Sequence, residues 1–456
     1  MVEINRKVHS DLIKWKNSPY RKPLILRGAR QVGKTSLIRQ FANEYPQFVE
    51  LNLEKKYHRE IFDSIDDLSE LINAIFLSEQ ITGSKTPVLL FIDEVQESPK
   101  AISMLRYFYE ERPDLHVIAA GSLLEFALGD IPGFPVGRVE YLSLHPINFE
   151  EFLGMVNPKA LELLERIPVP AYGHDLLLKY FHEYSVIGGM PEIVSRYLEN
   201  QNIAALSDVY KQLWFSYKED VKKYARNNTD KKIIRHVIDS APKETDRIKF
   251  EGFGRSNYRS REVGEAMRAL DLAQVVQLIY PTTSLEPPLL ADLKKRPRLQ
   301  FLDTGLLSQI LSLQREMIGI KDLNGFYKGK IIQQLVSQQL ISLQHDPSYR
   351  PHFWVREKKE SSAEVDLVYH YEQYVIPIEI KSGEQGRLRS LHQFIDRCPH
   401  HYGIRLLANY FSVENVKTIS GKEYWLMNLP YYLATRIPEY IKWFVTNHSI
   451  QEPKQP

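Results

Sequence analysis

Gly28-Ala29-Arg30-Gln31-Val32-Gly33-Lys34-Thr35 is the stretch on which the fold turns. It fits G-x-x-x-x-G-K-[ST] at every fixed position, follows an apolar run at residues 23–27, and leads into a segment with Leu37, Ile38 and Phe41 on one helical face. Strand, glycine-rich loop and helix in that order make a cradle for phosphate. Glycines let successive backbone N–H groups turn inward, and the helix start adds its positive dipole end. A random glycine-rich turn is the plainer alternative, and it leaves the flanking elements unexplained. The loop running through Thr35 to Ser36 is therefore the expected ATP-binding segment, with Lys34 reaching the β and γ phosphates and the Thr35 hydroxyl on Mg²⁺.

Further along, residues 88–92 are an apolar run that ends in Asp93-Glu94. Acids at the carboxyl end of a parallel strand stand beside the phosphate loop. Asp93 is expected to hold Mg²⁺ through water, and Glu94 to orient or deprotonate the attacking water. Two acids that merely end a buried strand are the alternative. Residues 116–120 form another apolar run, ending in Gly121-Ser122, and its place after the two nucleotide motifs makes Ser122 a candidate sensor of the γ-phosphate. Arg138 opens the run at residues 138–143. It is a candidate arginine finger, a guanidinium that stabilises transition-state charge on a neighbouring subunit's nucleotide, and that role implies a homo-oligomer. A plain surface arginine is the competing reading.

Runs at 23–27, 48–53, 88–92, 116–120 and 138–143 alternate with amphipathic helices, the pattern of an α/β doubly wound parallel sheet over residues 1–150. With 456 residues the chain is too long for one ordinary core. Residues 151–229 read as a helical connecting part, broken at Gly188-Gly189-Met190-Pro191. Residues 230–320 pair a helix at 261–271 with a strand at 274–280, compatible with a winged helix, and residues 321–456 offer a helix at 330–343 and strands at 352–356, 365–369 and 375–381.

A formal net charge of +2 lacks the basic excess of a chain that coats itself on nucleic acid, so any basic site is local. One cysteine, Cys398, forbids an intramolecular disulfide and cannot alone build a zinc site, which fits a reducing compartment. The first 20 residues mix charged and apolar side chains and lack a signal-peptide core, and no apolar run approaches the roughly 20 residues that span a bilayer. The expected location is cytoplasmic, with no membrane partner.

The sequence resembles the bacterial and archaeal AAA+-like P-loop ATPases that carry a C-terminal domain of unknown function. The likeness rests on the loop from Gly28 to Thr35, residues 91–96, Gly121-Ser122, Gly137-Arg138, residues 146–153 (PINFEEFL), the Gly188-Gly189-Met190-Pro191 break, residues 301–306 (FLDTGL), and Glu364-Val365-Asp366 with Glu379-Ile380-Lys381. It implies ATPase activity, a winged-helix-like middle part and a C-terminal fold like the restriction endonucleases. In the strand at 375–381, Glu379 and Lys381 lie two residues apart and share a sheet face, while Ile378 and Ile380 face the core. A hairpin would bring Asp366 alongside. The family likeness makes Asp366 and Glu379 a candidate second Mg²⁺ site, with Lys381 polarising phosphate or water, although Gln333 stands where the family commonly offers a glutamate. A solvated amphipathic strand is the alternative.

Arg247, Lys249, Arg255, Arg259 and Arg261, interleaved with Phe250, Phe253 and Tyr258, and the following Lys294-Lys295-Arg296-Pro297-Arg298, are the local basic feature that points to DNA. A solvated loop is the alternative. The sequence thus supports an Mg²⁺-dependent ATP-binding protein and ATPase whose nucleotide state acts on its C-terminal domains, with DNA as a candidate partner. An ATP-gated nuclease and an ATP-binding signalling scaffold without nucleic acid are the rival classes.

Overall fold

The structure, a computed structural model, describes residues 4–81, 87–121, 135–220, 225, 227–244, 246–314, 330–358, 361–381 and 388–448. Its first sheet has five parallel strands in the order β2-β3-β4-β1-β5, with β1 at Leu24–Arg27, β2 at Gln47–Asn52, β3 at Val88–Asp93, β4 at Leu115–Ala120 and β5 at Glu140–Ser143. The side-chain period of two divides these strands between two cores. Leu89 and Phe91 of β3 pack with Leu24, Leu26 and Phe41 on one face, and Val88, Leu90 and Ile92 pack with Ile25, Leu71 and Leu105 on the other. Burial on both faces is why β3 and β4 read as continuous apolar runs. The fold is α/β, as expected. One detail differs: β5 begins at Glu140, because Gly137 takes a φ of +75° in a turn that leaves Arg138 ahead of the strand.

Helices follow, among them Phe149–Val156, His174–Ile187, Pro191–Asn200 and Ser207–Asp220. Next come two packed helices, Asn228–Ser240 and Ser260–Leu272, and an antiparallel ribbon of β6 (Val276–Ile279) and β8 (Arg298–Phe301). A mixed seven-stranded sheet, with a helix at Ile437–Asn447 after its last strand, has the order β13-β14-β12-β11-β10-β9-β7. Its first member is β7 (Pro281–Thr282), and the rest are β9 (His352–Lys358), β10 (Ser361–Tyr371), β11 (Tyr374–Ile380), β12 (Tyr402–Leu407), β13 (Ser412–Lys417) and β14 (Glu423–Pro430). Since β7 lies between β6 and β8 in sequence yet pairs with β9, the ribbon is sewn into the C-terminal sheet.

The parts meet at a buried polar joint. Asp303 caps the helix Thr304–Ile310 by accepting from Leu306 N at 2.8 Å, and its other oxygen accepts from Gly189 N at 2.6 Å and from the Gln338 amide at 3.2 Å. Gly189 O in turn accepts from Ile147 N at 2.7 Å, just past the first sheet. Gln339 accepts from Phe149 N and donates to the Tyr184 hydroxyl, which donates to Ile147 O. Gln334, on the same helix (Lys330–Ser342), accepts from Phe301 N and donates to Leu299 O, serving the free edge of β8 as a neighbouring strand would.

Close approach here requires glycine. A Cβ on Gly189 would lie 2.0 Å from Ile147 O, and one on Gly305 would lie 2.2 Å from Ile187 O. Gly189→Ala is expected to lower stability by about 2 kcal/mol or more through overpacking against backbone. Gly137→Ala, at positive φ in open space, is expected to cost only about 1 kcal/mol. Chemical denaturation of the two variants checks the order, and equal losses would mean that the joint is not tightly packed.

Candidate functional site

The phosphate loop sits at the carboxyl end of β1, between β3 and the helical part. Its turn needs unusual backbone: Gly28, Gln31 and Gly33 have φ of 146°, 61° and 95°. At Gly28 a Cβ would meet Leu144 O at 2.3 Å, so the first glycine is required for close packing. The helix Lys34–Phe41 starts at Gly33. Lys34 is buried and folded back, its Nζ donating to Gly28 O at 2.8 Å and Ala29 O at 2.9 Å. Burial pushes its ammonium down to about 8, against the pull of Glu94 and Asp93.

Thr35 Oγ1 donates to Asp93 Oδ2 at 2.8 Å, and Asp93 Oδ1 accepts from Glu94 N at 3.0 Å. Burial raises the Asp93 carboxyl above the ordinary aspartate range, and the Thr35 hydrogen bond pulls it back. A hydroxyl and a carboxylate in contact beside the phosphate loop form an oxygen donor set suited to Mg²⁺, which binds few protein ligands and keeps its waters. Glu94 holds a left-handed backbone conformation at φ 52°, and its Oε2 accepts from the Gln96 amide at 2.6 Å. A non-glycine residue at such a φ is held there by its surroundings. Gln96 orients Glu94 and was not singled out from sequence. Ser122 lies outside the described residues.

Arg138 stands at the amino ends of the strands, the edge opposite the phosphate loop, and pairs with Glu110 at 3.2 Å. It is half-exposed and cannot reach the nucleotide of its own chain. The loop also has partners to which the sequence reading gave no role at the nucleotide site. Arg6 donates to Val32 O at 3.2 Å and His145 O at 2.6 Å while pairing with Glu151 at 3.0 Å. Arg30 pairs with Asp220 at 2.6 Å, and the Tyr217 hydroxyl donates to Arg30 O at 2.6 Å. Pro191, of the Gly-Gly-Met-Pro break, lies 3.6 Å from where a Gly33 Cβ would stand. Asp220, Tyr217 and Pro191 are more than a hundred residues from the loop along the chain, and only Pro191 lies in a stretch that the sequence marks, the Gly-Gly-Met-Pro break.

In the second sheet, Leu367 pairs with Ile378, which brings Asp366 beside Glu379. Lys381 follows the end of β11, and its Nζ donates to Glu379 Oε1 at 2.6 Å. Asp366 Oδ2 accepts from Ile380 N at 2.9 Å. Burial, with the Asp366 charge second, pushes the Glu379 carboxyl up to about 7. Glu379 is thus buried, against the solvated face that the plainer reading allowed. Among the described residues no group of three or more His, Cys, Asp or Glu is placed to hold a metal ion. The aromatics of the basic segment do not form a stacking platform: Phe253 is buried, and Phe250 and Tyr258 pack against the core. Arg247 and Lys295 both pair with Glu357.

The parallel sheet, the phosphate loop and the acid-tipped β3 define a P-loop nucleotide-binding domain. Residues 20–153 match the model of an AAA domain, residues 178–317 a domain of unknown function (DUF8612), and residues 328–432 a further domain of unknown function (DUF4143). The chain therefore joins an AAA-type P-loop ATPase domain to C-terminal domains of unknown function. None of the curated proteins matches it. Among solved structures it is distantly similar to a Walker-type ATPase of Pyrococcus abyssi, at 14% identity over 68% of this chain and 96% of that one, with a TM-score of 0.44. PCH-2 of C. elegans shows 16% identity over 43% and 63% of the two chains at a TM-score of 0.28. The Orc1 protein of Aeropyrum pernix, solved in complex with DNA, shows 10% identity over 69% and 94% at 0.28. No described helix is long and apolar enough to cross a membrane.

The burial of Lys34 predicts pH-dependent nucleotide binding. In the free protein its ammonium gives up its proton as pH rises through about 8, whereas bound phosphate favours the charged form. ATP affinity is expected to be flat below that pH and to weaken above it by up to about tenfold per unit, with proton uptake on binding. Calorimetric titration between pH 7 and 9.5 checks this, and constant affinity would mean that Lys34 stays protonated without nucleotide.

Proposed function

We propose that the protein is an Mg²⁺-dependent ATPase whose nucleotide state is passed to its C-terminal domains through the Gly189–Asp303 joint. The observation that carries this is the meeting of Lys34 and Thr35, at the end of the phosphate loop, with Asp93 at the tip of β3, on a loop that packs beside the Gly-Gly-Met-Pro break. Lys34 exchanges its two carbonyl partners for β and γ phosphate oxygens. Thr35 and Asp93 would hold Mg²⁺, and the ion would supply charge neutralisation for the transferred phosphoryl group. Glu94, steadied by Gln96, orients the attacking water. Ser122 is assigned to the γ-phosphate, and Gly28 to Ser36 to the remaining phosphate contacts. Arg138, at the far edge of the sheet, serves a neighbouring copy of the chain.

We further propose that residues 230–320 are winged-helix-like and residues 321–456 restriction-endonuclease-like, on the helix-ribbon and mixed-sheet layouts. The acid pairing of Arg247 and Lys295, with the inward turn of Phe253, favours action on a protein partner over DNA. Salt-dependent DNA binding measured on the full chain separates the two.

Lys34→Ala is expected to weaken ATP binding and abolish hydrolysis. Glu94→Gln is expected to retain ATP and slow turnover by about 10²-fold or more, as for loss of a general base. Arg138→Ala should lower turnover at unchanged ATP affinity, with turnover per chain rising with protein concentration in the wild type. A Lys34→Ala protein that hydrolyses ATP normally would overturn the proposal, and full activity at high dilution would remove the role of Arg138.

A further inference from the structure

The acids of β10 face a cation that belongs to the chain itself. Arg298 projects from β8, where its Nη2 pairs with Glu364 and lies 3.8 Å from Asp366 Oδ1, while its Nη1 donates to Asp366 O at 3.2 Å. The guanidinium lies 4.1 Å from the centre of the Phe353 ring, a cation–π contact that helps to fix its plane. Of the remaining oxygens, Glu379 Oε2 is buried without a hydrogen-bond partner among the described residues, and the others are engaged. Asp366 Oδ2 accepts from Ile380 N, Glu379 Oε1 accepts from Lys381, and Gln333 turns its N–H, rather than its oxygen, toward Asp366 Oδ1 at 3.4 Å.

Space points the same way. The cavity on the Arg298 side of Asp366, lined also by Gln333 and Phe353 but not by Glu379, measures about 30 Å³. That accommodates about one or two waters. Mg²⁺ asks for a near-octahedral set of oxygens at about 2.0–2.1 Å and usually keeps several waters of its own. The arrangement as placed therefore does not fit the divalent ion that the D…E-x-K pattern implies.

We propose that Arg298 is a built-in cation that takes the place of a divalent metal at the Asp366–Glu379 site, so that the site is closed to Mg²⁺. Arginine suits the role because it stays protonated at any physiological pH and spreads its charge over a planar fork that serves a side-chain carboxylate and a backbone carbonyl together. Its contacts reach Glu364 and Asp366 from a strand 66 residues away in sequence. The metal step of the nuclease reading thus has an occupant, and Asp366 is a partner for a guanidinium. This holds whatever the P-loop does with ATP, since none of these residues touches it.

Manganese titration of the full, nucleotide-free chain, followed by the electron paramagnetic resonance of free Mn²⁺, tests the proposal. Wild type and Asp366→Asn are expected to give superimposable curves, because sites elsewhere are common to both. Arg298→Gln is expected to gain one Mn²⁺ per chain, lost again in Arg298→Gln/Asp366→Asn, and to melt at a higher temperature with Mn²⁺ than without it. Wild-type binding that disappears in Asp366→Asn would overturn the proposal, and that arm does not depend on how Arg298→Gln folds. A folded Arg298→Gln chain that binds no more Mn²⁺ than wild type would overturn it equally.

Discussion

One buried carboxylate ties the molecule together. Among the described residues Asp303 has no basic side chain as a hydrogen-bond donor: backbone N–H groups, those of Gly189 and Leu306 among them, and the amide of Gln338 serve it. Burial raises its pKa above the ordinary aspartate range while these donors draw it down. Each donor left unpaired in such a place costs about 1–3 kcal/mol, so the group holds its neighbours only if all of them stay in position. Those neighbours come from the break after the helix His174–Ile187, from the helix Thr304–Ile310 that follows β8, and from the helix Lys330–Ser342. The end of the first sheet joins through Ile147 and Gly189.

This joint gives the phosphate loop a mechanical neighbour. The break that donates Gly189 to Asp303 also places Pro191 against Gly33, and the helix Ser207–Asp220 reaches the loop through Tyr217 and Asp220. Bound phosphate would draw Lys34 off the carbonyls of Gly28 and Ala29, changing the inner side of the loop on which these contacts rest. Five residues upstream of Asp303, the same β8 segment carries Arg298 into the acids of β10.

The first sheet was legible because it is covered on both faces: β3 and β4 are apolar at nearly every position, and a consensus loop follows β1. The boundaries erred by a residue or two where turns decide them, as at Gly137, which leaves Arg138 outside β5. Asp303 was not legible as a hub. In sequence it is the N-cap of a short helix, and its partners Gly189 and Gln338 lie 114 and 35 residues away. Arg298 was read as one cation among several in a basic cluster, since the acids that engage it lie on a distant strand. Phe253 shows the converse, an aromatic beside arginines that serves the core. The pairing of Asp366 with Glu379 followed from the period of two and a hairpin, while the burial of Glu379 depended on what packs over the sheet.

Amide hydrogen exchange of the full chain, with and without ATP and Mg²⁺, tests most directly whether nucleotide state leaves the first sheet. Protection is expected to change in residues 28–36 and also in residues 187–191 and 301–306, with the distal changes lost in Lys34→Ala. A change confined to the phosphate loop, with the joint unaltered, would contradict the account.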